Sequence, residues 1–285
     1  MMAILFAVCA AALYGSADFI GGLASRRSAV MPVMIVSQFA GSAMLLAVIP
    51  LLPSTSATTA DLIWGTVAGV ALGIGLMQLY QGLALGKMSV VAPVTAVLAV
   101  ALSAVVGMLA GDRLSIIGLG GIVLAVTAII LISQGGEPNI TNENATGGSG
   151  VLLITAVSAG LLIGVFYVAI KQASASGGLV ALLSARITAL VVLLGLAISR
   201  RSLITVGRDV VWLVILGGAL DVTANVLYVL AARHGMLTIA ATLTSLYPAS
   251  TIMLARIVLA ERLSPWQAAG VGCALTAVVL IVSAP

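Results

Sequence analysis

The chain has 285 residues, of which 62% are hydrophobic and 7% charged, and its mean hydropathy is +1.28. A soluble domain covers itself with about 25% charged residues, so 12 Lys+Arg and 8 Asp+Glu over this length exclude a water-soluble globule and make lipid the main solvent. The net charge of +4 is no nucleic-acid footprint, because the basic residues stand in short loops between apolar runs, as cytoplasmic membrane loops do.

A spanning helix needs about 20 mainly apolar residues to cross about 30 Å of hydrocarbon. Cutting the chain at its charged, Pro and Gly/Ser-rich points predicts ten spans, at 2 to 23, 30 to 52, 62 to 84, 89 to 110, 115 to 133, 150 to 170, 178 to 198, 210 to 231, 237 to 259 and 265 to 283. Met1-Met2-Ala3 has no basic n-region and the first run outlasts a signal-peptide core, so this run is expected to stay as a span. Cys9 and Cys273 lie inside apolar runs as small hydrophobes, which leaves neither a disulfide framework nor a metal cluster to expect. The polar stretch 135–149 reads as a linker between two five-helix units, 1–134 and 150–285.

The two units repeat each other. Gly111-Asp112-Arg113-Leu114-Ser115 returns as Ala260-Glu261-Arg262-Leu263-Ser264 at an offset of 149, and Trp64 and Tyr80 fall on Trp212 and Tyr228 at an offset of 148. Five spans is an odd number, so a duplicated second unit enters the membrane from the opposite side. The expected fold is therefore all-α, an integral membrane protein of ten transmembrane helices in two inverted five-helix repeats. That architecture is characteristic of secondary transporters.

Leu13-Tyr14-Gly15-Ser16-Ala17-Asp18-Phe19 in helix 1, Ser89-Val90-Val91-Ala92-Pro93 opening helix 4, and the Gly-Asp or Ala-Glu signatures before helices 5 and 10 resemble the EamA-type branch of the drug/metabolite transporter superfamily. The likeness covers essentially the whole chain. It implies a multi-pass carrier of small metabolites or drugs in the cell (plasma) membrane, often an exporter. The cavity would be lined by helices 1 to 4 and 6 to 9, with helices 5 and 10 peripheral. Tyr14 stands where the family more often has Trp, and Asp112 where it more often has Glu. The smallest members of the superfamily couple protons through one helix-1 carboxylate, which makes Asp18 the proton-coupling candidate here. Asp18 aligns with Tyr167 in the second unit. The resemblance implies that both termini are inside, whereas the basic residues after odd-numbered helices outnumber those on the other side and argue for an outside N-terminus.

Charge at membrane depth costs about 2.5 to 3.5 kcal/mol per residue on insertion scales, which singles out Asp18, Arg186, Asp221 and Arg256. Counting from a shared side places Arg186 about 12 Å and Asp221 about 15 Å deep, so the two can meet. Asp221 shares its helical stripe with Asn225 and Tyr228. These residues, with Gln38, Tyr80 and Gln81, form the candidate substrate-binding set, against the reading of Arg186 and Asp221 as a purely structural ion pair. Arg256, near a helix end, is expected to snorkel to the headgroups. Gly65, Gly69 and Gly73 read as a close-packing stripe, and Pro93 and Pro248 as kinks or hinges within helices 4 and 9, with Tyr247 beside the second.

No HExxH, CxxC or paired-carboxylate motif occurs, and no phosphate loop, so neither an enzyme nor a primary pump is expected and no cofactor is called for. A gradient-driven transporter working by alternating access remains, with a small-molecule substrate, the bilayer and protons as partners, as a monomer or homodimer. A membrane channel, or a non-transporting scaffold, is the competing class.

Overall fold

A computed structural model describes residues 2–48, 58–110, 115–134, 149–173, 178–201, 205–234 and 243–283. The predicted linker and the signature residues Gly111 to Leu114 lie outside the described residues, as do the end of the second predicted span and the start of the ninth. The described chain is helical throughout. Lipid leaves a spanning backbone no water to bond, and a helix satisfies its N–H and C=O groups internally.

Ten long helices are described: α1 Met2–Arg27, α2 Val30–Val48, α3 Thr59–Leu85, α4 Met88–Leu109, α5 Ile116–Gln134, α6 Ser149–Lys171, α7 Gly178–Ser199, α8 Arg208–His234, α9 Tyr247–Val258 and α10 Pro265–Ser283. Eight are long and apolar enough to cross a bilayer, whereas the apolar part of α5, Ile116–Ile132, and the twelve-residue α9 are shorter. His234 ends α8.

Local chemistry sets several helix starts. Thr58 and Asp61 form a reciprocal capping box on α3, with Thr58 N–H donating to Asp61 Oδ2 at 2.8 Å. Ser264 and Gln267 repeat the device on α10, with exchanged bonds of 3.1 and 3.2 Å. Residues 243–244 are helical and 245–246 form a turn, so Pro248 stands just past a break in the helical run, in the first turn of α9, where its missing N–H costs nothing. Pro93 does lie inside α4.

The packing falls into two groups of four. α3 packs along α6 and α7, and α4 along α6; in the same way α8 packs along α1 and α2, and α9 along α1. Contacts between the groups, through α1 and α3, α2 and α7, and α4 and α9, are sparser. Glycine permits the closest approaches. A Cβ on Gly65 would stand 2.8 Å from Ser184 Cβ, and one on Gly73 3.1 Å from Ala189 Cα, so the α3 stripe is the face that seats α7. α5 pairs chiefly with α10, Gly121 against Ile281 and Gly270 against Ile132, and α10 also rests on α4. Trp64, Trp212 and Trp266 are exposed near helix starts, as interfacial anchors would be.

Candidate functional site

Arg186 of α7 and Asp221 of α8 form an ion pair through Nη2 and Oδ2. The guanidinium also donates from Nη1 to Gln38 Oε1 of α2 at 3.4 Å. A Cβ on Gly41 would stand 2.9 Å from Arg186 Nη1, and one on Gly218 2.6 Å from the Ser37 carbonyl. These two glycines therefore let α2, α7 and α8 converge on the charge. The pair is lopsided: the Arg186 side chain is 5% exposed and that of Asp221 36%. The cation lies behind, and the carboxylate faces open space.

The second half supplies both charges where the first half has neutral residues. Arg186 lies 148 positions after Gln38, the residue it bonds, and Asp221 lies the same distance after Gly73. Where Gly73 lets α3 close on Ala189 of α7, the equivalent α8 position carries a carboxylate, and the residue aligned with Ala189 is Gly41. The ion pair is thus a local departure from a repeated packing motif, built into space that glycine leaves free.

Tyr14 and Tyr80 lie within electrostatic reach of the pair, and Tyr167, Tyr228 and Tyr247 within reach of Tyr14. Tyr14 of α1 meets Tyr247 of α9 edge to face, ring centroids 6.3 Å apart. Tyr80 of α3 lays its ring over Gly21 of α1, where any side chain would collide with it. Tyr14 is within electrostatic reach of Asp221, Arg186, Tyr167 and Tyr228. Tyr80 is within reach of Asp18, Asp221 and Arg186, and Tyr247 of Tyr167 and Asp18. Asp18 of α1 is within electrostatic reach of Asp221 and of Tyr167 of α6. Tyr167 is 40% exposed, and Asp18, Tyr14, Tyr228 and Tyr247 are partly exposed as well. The cluster is accordingly partly accessible and is not sealed core.

Of the expected set, Arg186, Asp221, Gln38, Tyr80, Tyr228 and Asp18 come together. Asn225 is on the same stripe but spends its amide on the Asp221 backbone carbonyl, 2.7 Å away on its own helix. Gln81 is half-buried and takes part in none of the hydrogen bonds of the pair; it is rotated about 100° from Tyr80 on the helix. Arg256 is exposed in the last turn of α9, beside Ile252 and Met253 on an apolar groove, as snorkelling requires. Sequence reasoning placed neither Tyr14 nor Tyr167 at the site. The signal available was that a chain with 4% aromatic residues keeps all its tyrosines inside predicted spans.

A second polar cluster closes one end of the molecule. Arg26, at the end of α1, donates to the Leu83 and Gly86 carbonyls at the end of α3, at 3.1 and 2.6 Å, and to Glu261 at 3.2 Å. Glu261, in the loop between α9 and α10, accepts the Met88 and Ser89 N–H groups at the start of α4, both at 3.0 Å. A carboxylate suits that helix terminus electrostatically. Lys87 adds a bond to the Arg262 carbonyl at 2.8 Å. Ala260, at φ 51°, holds the left-handed turn that aims Glu261; such a backbone costs a non-glycine residue about 1–2 kcal/mol.

Residues 149–283 match the model of the EamA-like transporter family. The match is confined to the second half of the chain. No curated protein matches the chain. The EamA match takes in α6 to α10 complete, and with them Arg186, Asp221, Tyr167, Tyr228, Tyr247 and Glu261. The EamA half therefore carries the charge pair and the carboxylate of the end cluster, while the preceding half contributes Tyr14, Asp18, Gln38, Tyr80 and Arg26.

Proposed function

We propose that this protein is a secondary transporter of small molecules in the cell membrane, working by alternating access, with the Arg186–Asp221 cluster as its cargo site. The observation that carries the reading is the lopsided burial of the pair. A carboxylate that is 36% exposed within a ring of helices is oriented toward something that enters, whereas a pair serving only to fix two helices has no need of an open side. The pair also joins α7 of one packing group to α8 of the other, so relative motion of the groups changes the site itself.

The ten helices are read as two inverted five-helix repeats. Supporting this is the exchange symmetry of the packing: α3 with α6 mirrors α8 with α1, and α4 with α6 mirrors α9 with α1. Gln38 and Arg186, aligned between the halves at an offset of 148, also meet directly. Reporters fused near Asn142 and after Pro285 will fall on opposite faces of the membrane; the same face for both removes the inversion.

Asp18 lies within electrostatic reach of Asp221, whose charge Arg186 balances, so a proton on Asp18 and a cargo at the pair are read as excluding each other. Mutually exclusive occupation of that kind couples cargo export to proton entry. Purified protein in liposomes is expected to show saturable counterflow of cargo, driven in one direction by an inward proton gradient. The groups facing Asp18 are Asp221, Tyr80, Tyr167 and Tyr247, so an Asp18→Asn variant tests the coupling with the tyrosines intact. Non-saturating conductance would assign the protein to the channel class instead.

A further inference from the structure

We infer that the apolar groove between α9 and α10 seats one anionic phospholipid, its phosphate on Arg256 and an acyl chain along the groove. The groove shares no residue with the charge-pair site, and the inference goes beyond the transport reading.

Packing leaves this groove open. α9 and α10 follow each other in the chain and both rest on α4, yet they do not pack along each other. Ala249, Ile252, Met253 and Ile257 of α9 form one wall, and Val271 and Leu275 of α10 form the other. Met253 is 58% and Ile257 71% exposed, so the side toward the bilayer is uncovered. The groove holds about 280 Å³, just under the roughly 300–1,000 Å³ of sites that enclose a drug-sized ligand. An open furrow of that size fits a length of acyl chain and not an enclosed cargo.

Charge is the second, separate observation. Arg256 is exposed at the rim of the groove and has no ion-pair or hydrogen-bond partner among the described residues. Glu261, the carboxylate nearest to it in sequence, is already taken by Arg26 and by the Met88 and Ser89 N–H groups. A guanidinium beside lipid therefore draws its counter-charge from outside the chain. Depth selects a lipid over a soluble anion. Arg256 is about 3 Å from the end of α9, whereas Ala249 and Leu275 are about 14 and 15 Å in from the helix ends on that face. Trp266 is 59% exposed at the same end, as an interfacial anchor would be. The groove thus runs from a cation at headgroup level to apolar walls below, the order in which a phospholipid presents its own groups. Snorkelling alone accounts for where the guanidinium points, and the chain-sized furrow beneath it is what calls for a bound molecule. A headgroup of net negative charge suits it better than a choline headgroup, which brings an ammonium of its own.

Native mass spectrometry of the full chain in mild detergent tests the site, with phosphatidylglycerol and phosphatidylcholine of equal chain length at equal concentration. Adducts of phosphatidylglycerol are expected to exceed those of phosphatidylcholine about fivefold, the margin of one arginine against an anionic headgroup. Arg256→Gln should bring the ratio close to one, and Arg256→Lys should keep most of it, which separates charge from misfolding. Arg27→Gln removes another exposed cation at the same end but outside the groove, and should leave the ratio unchanged. An unchanged ratio in Arg256→Gln, or an equal fall in Arg27→Gln, overturns the site. For the acyl chain, Ala249→Trp fills the furrow and should lower retention of both lipids. Retention at the original level, or full displacement of phosphatidylglycerol by glycerol 3-phosphate at equal concentration, would show that no chain is seated and overturn the proposal as well.

Discussion

Replacing Glu261 by Ala is expected to open one end of the molecule. Its carboxylate accepts two backbone N–H groups at the start of α4 and the Arg26 guanidinium, and Glu261 is 8% exposed in side-chain terms. Hydrogen bonds to a charged group contribute about 1.5–3 kcal/mol each and are not additive, so a total loss of about 2–4 kcal/mol is the expected order. The loss falls on a particular interface. Arg26 and Glu261 belong to the α1/α9 side, while Leu83, Gly86, Met88 and Ser89 belong to the α3/α4 side. The variant should therefore become more accessible at that end and more easily melted. Ser25, buried beside Arg26, provides the readout as Ser25→Cys in a background with Cys9 and Cys273 replaced by serine. A membrane-impermeant thiol reagent should label it faster once Glu261 is gone. Labelling at the original rate would show that the end cluster holds the fold without acting as a gate.

Arg186→Gln should abolish counterflow and lower stability most among single changes at the site. It leaves Asp18 and Asp221 facing each other with no cation between them. Breaking a fully buried pair costs about 3–5 kcal/mol; Asp221 is 36% exposed, so water screens part of this and about 2–3 kcal/mol is expected. Asp221→Asn should be milder in stability and equally severe in transport, because an Asn oxygen and Gln38 still accept from Arg186. The double variant Arg186→Gln with Asp221→Asn separates the roles. Its melting temperature should return close to that of the unmodified protein while transport stays absent. A double variant that transports normally would reduce the pair to a clasp between helices.

Much of the fold was legible because lipid makes the rules strict. Ten apolar runs became ten helices, and the small-residue stripe at Gly65, Gly69 and Gly73 seats α7 as spacing alone suggested. Depth counting brought Arg186 to Asp221, since rise per residue is nearly constant in a straight helix. What it could not provide was azimuth between helices. Gln38 belongs to the candidate set by residue type, but nothing in the sequence shows that its side chain reaches Arg186. Asn225 looked available on its stripe, but an amide four residues from a carbonyl can fold back on its own helix, and it does. The interruption expected at Pro248 is present as the turn at 245–246, between helical residues 243–244 and α9. Tyr14 and Tyr167 were hidden for the same reason as Gln38, since assembling a cluster from α1 and α6 requires knowing which faces turn inward.

The short loop between α9 and α10 has a demanding position. α9 packs with α1, on one side of the sparse interface, while α10 rests on α4 and on α5, which continues from the other side. If the two groups move as bodies, this loop joins a moving part to a stationary one, and a few residues must absorb the difference in torsion angles. It contains Ala260, already held at a φ of 51° that alanine disfavours, next to the glutamate that fastens the closed end. The first half has Gly111 at the matching position, a residue to which the same angle costs almost nothing. A residue held away from its preferred angle thus stands at the joint that carries Glu261.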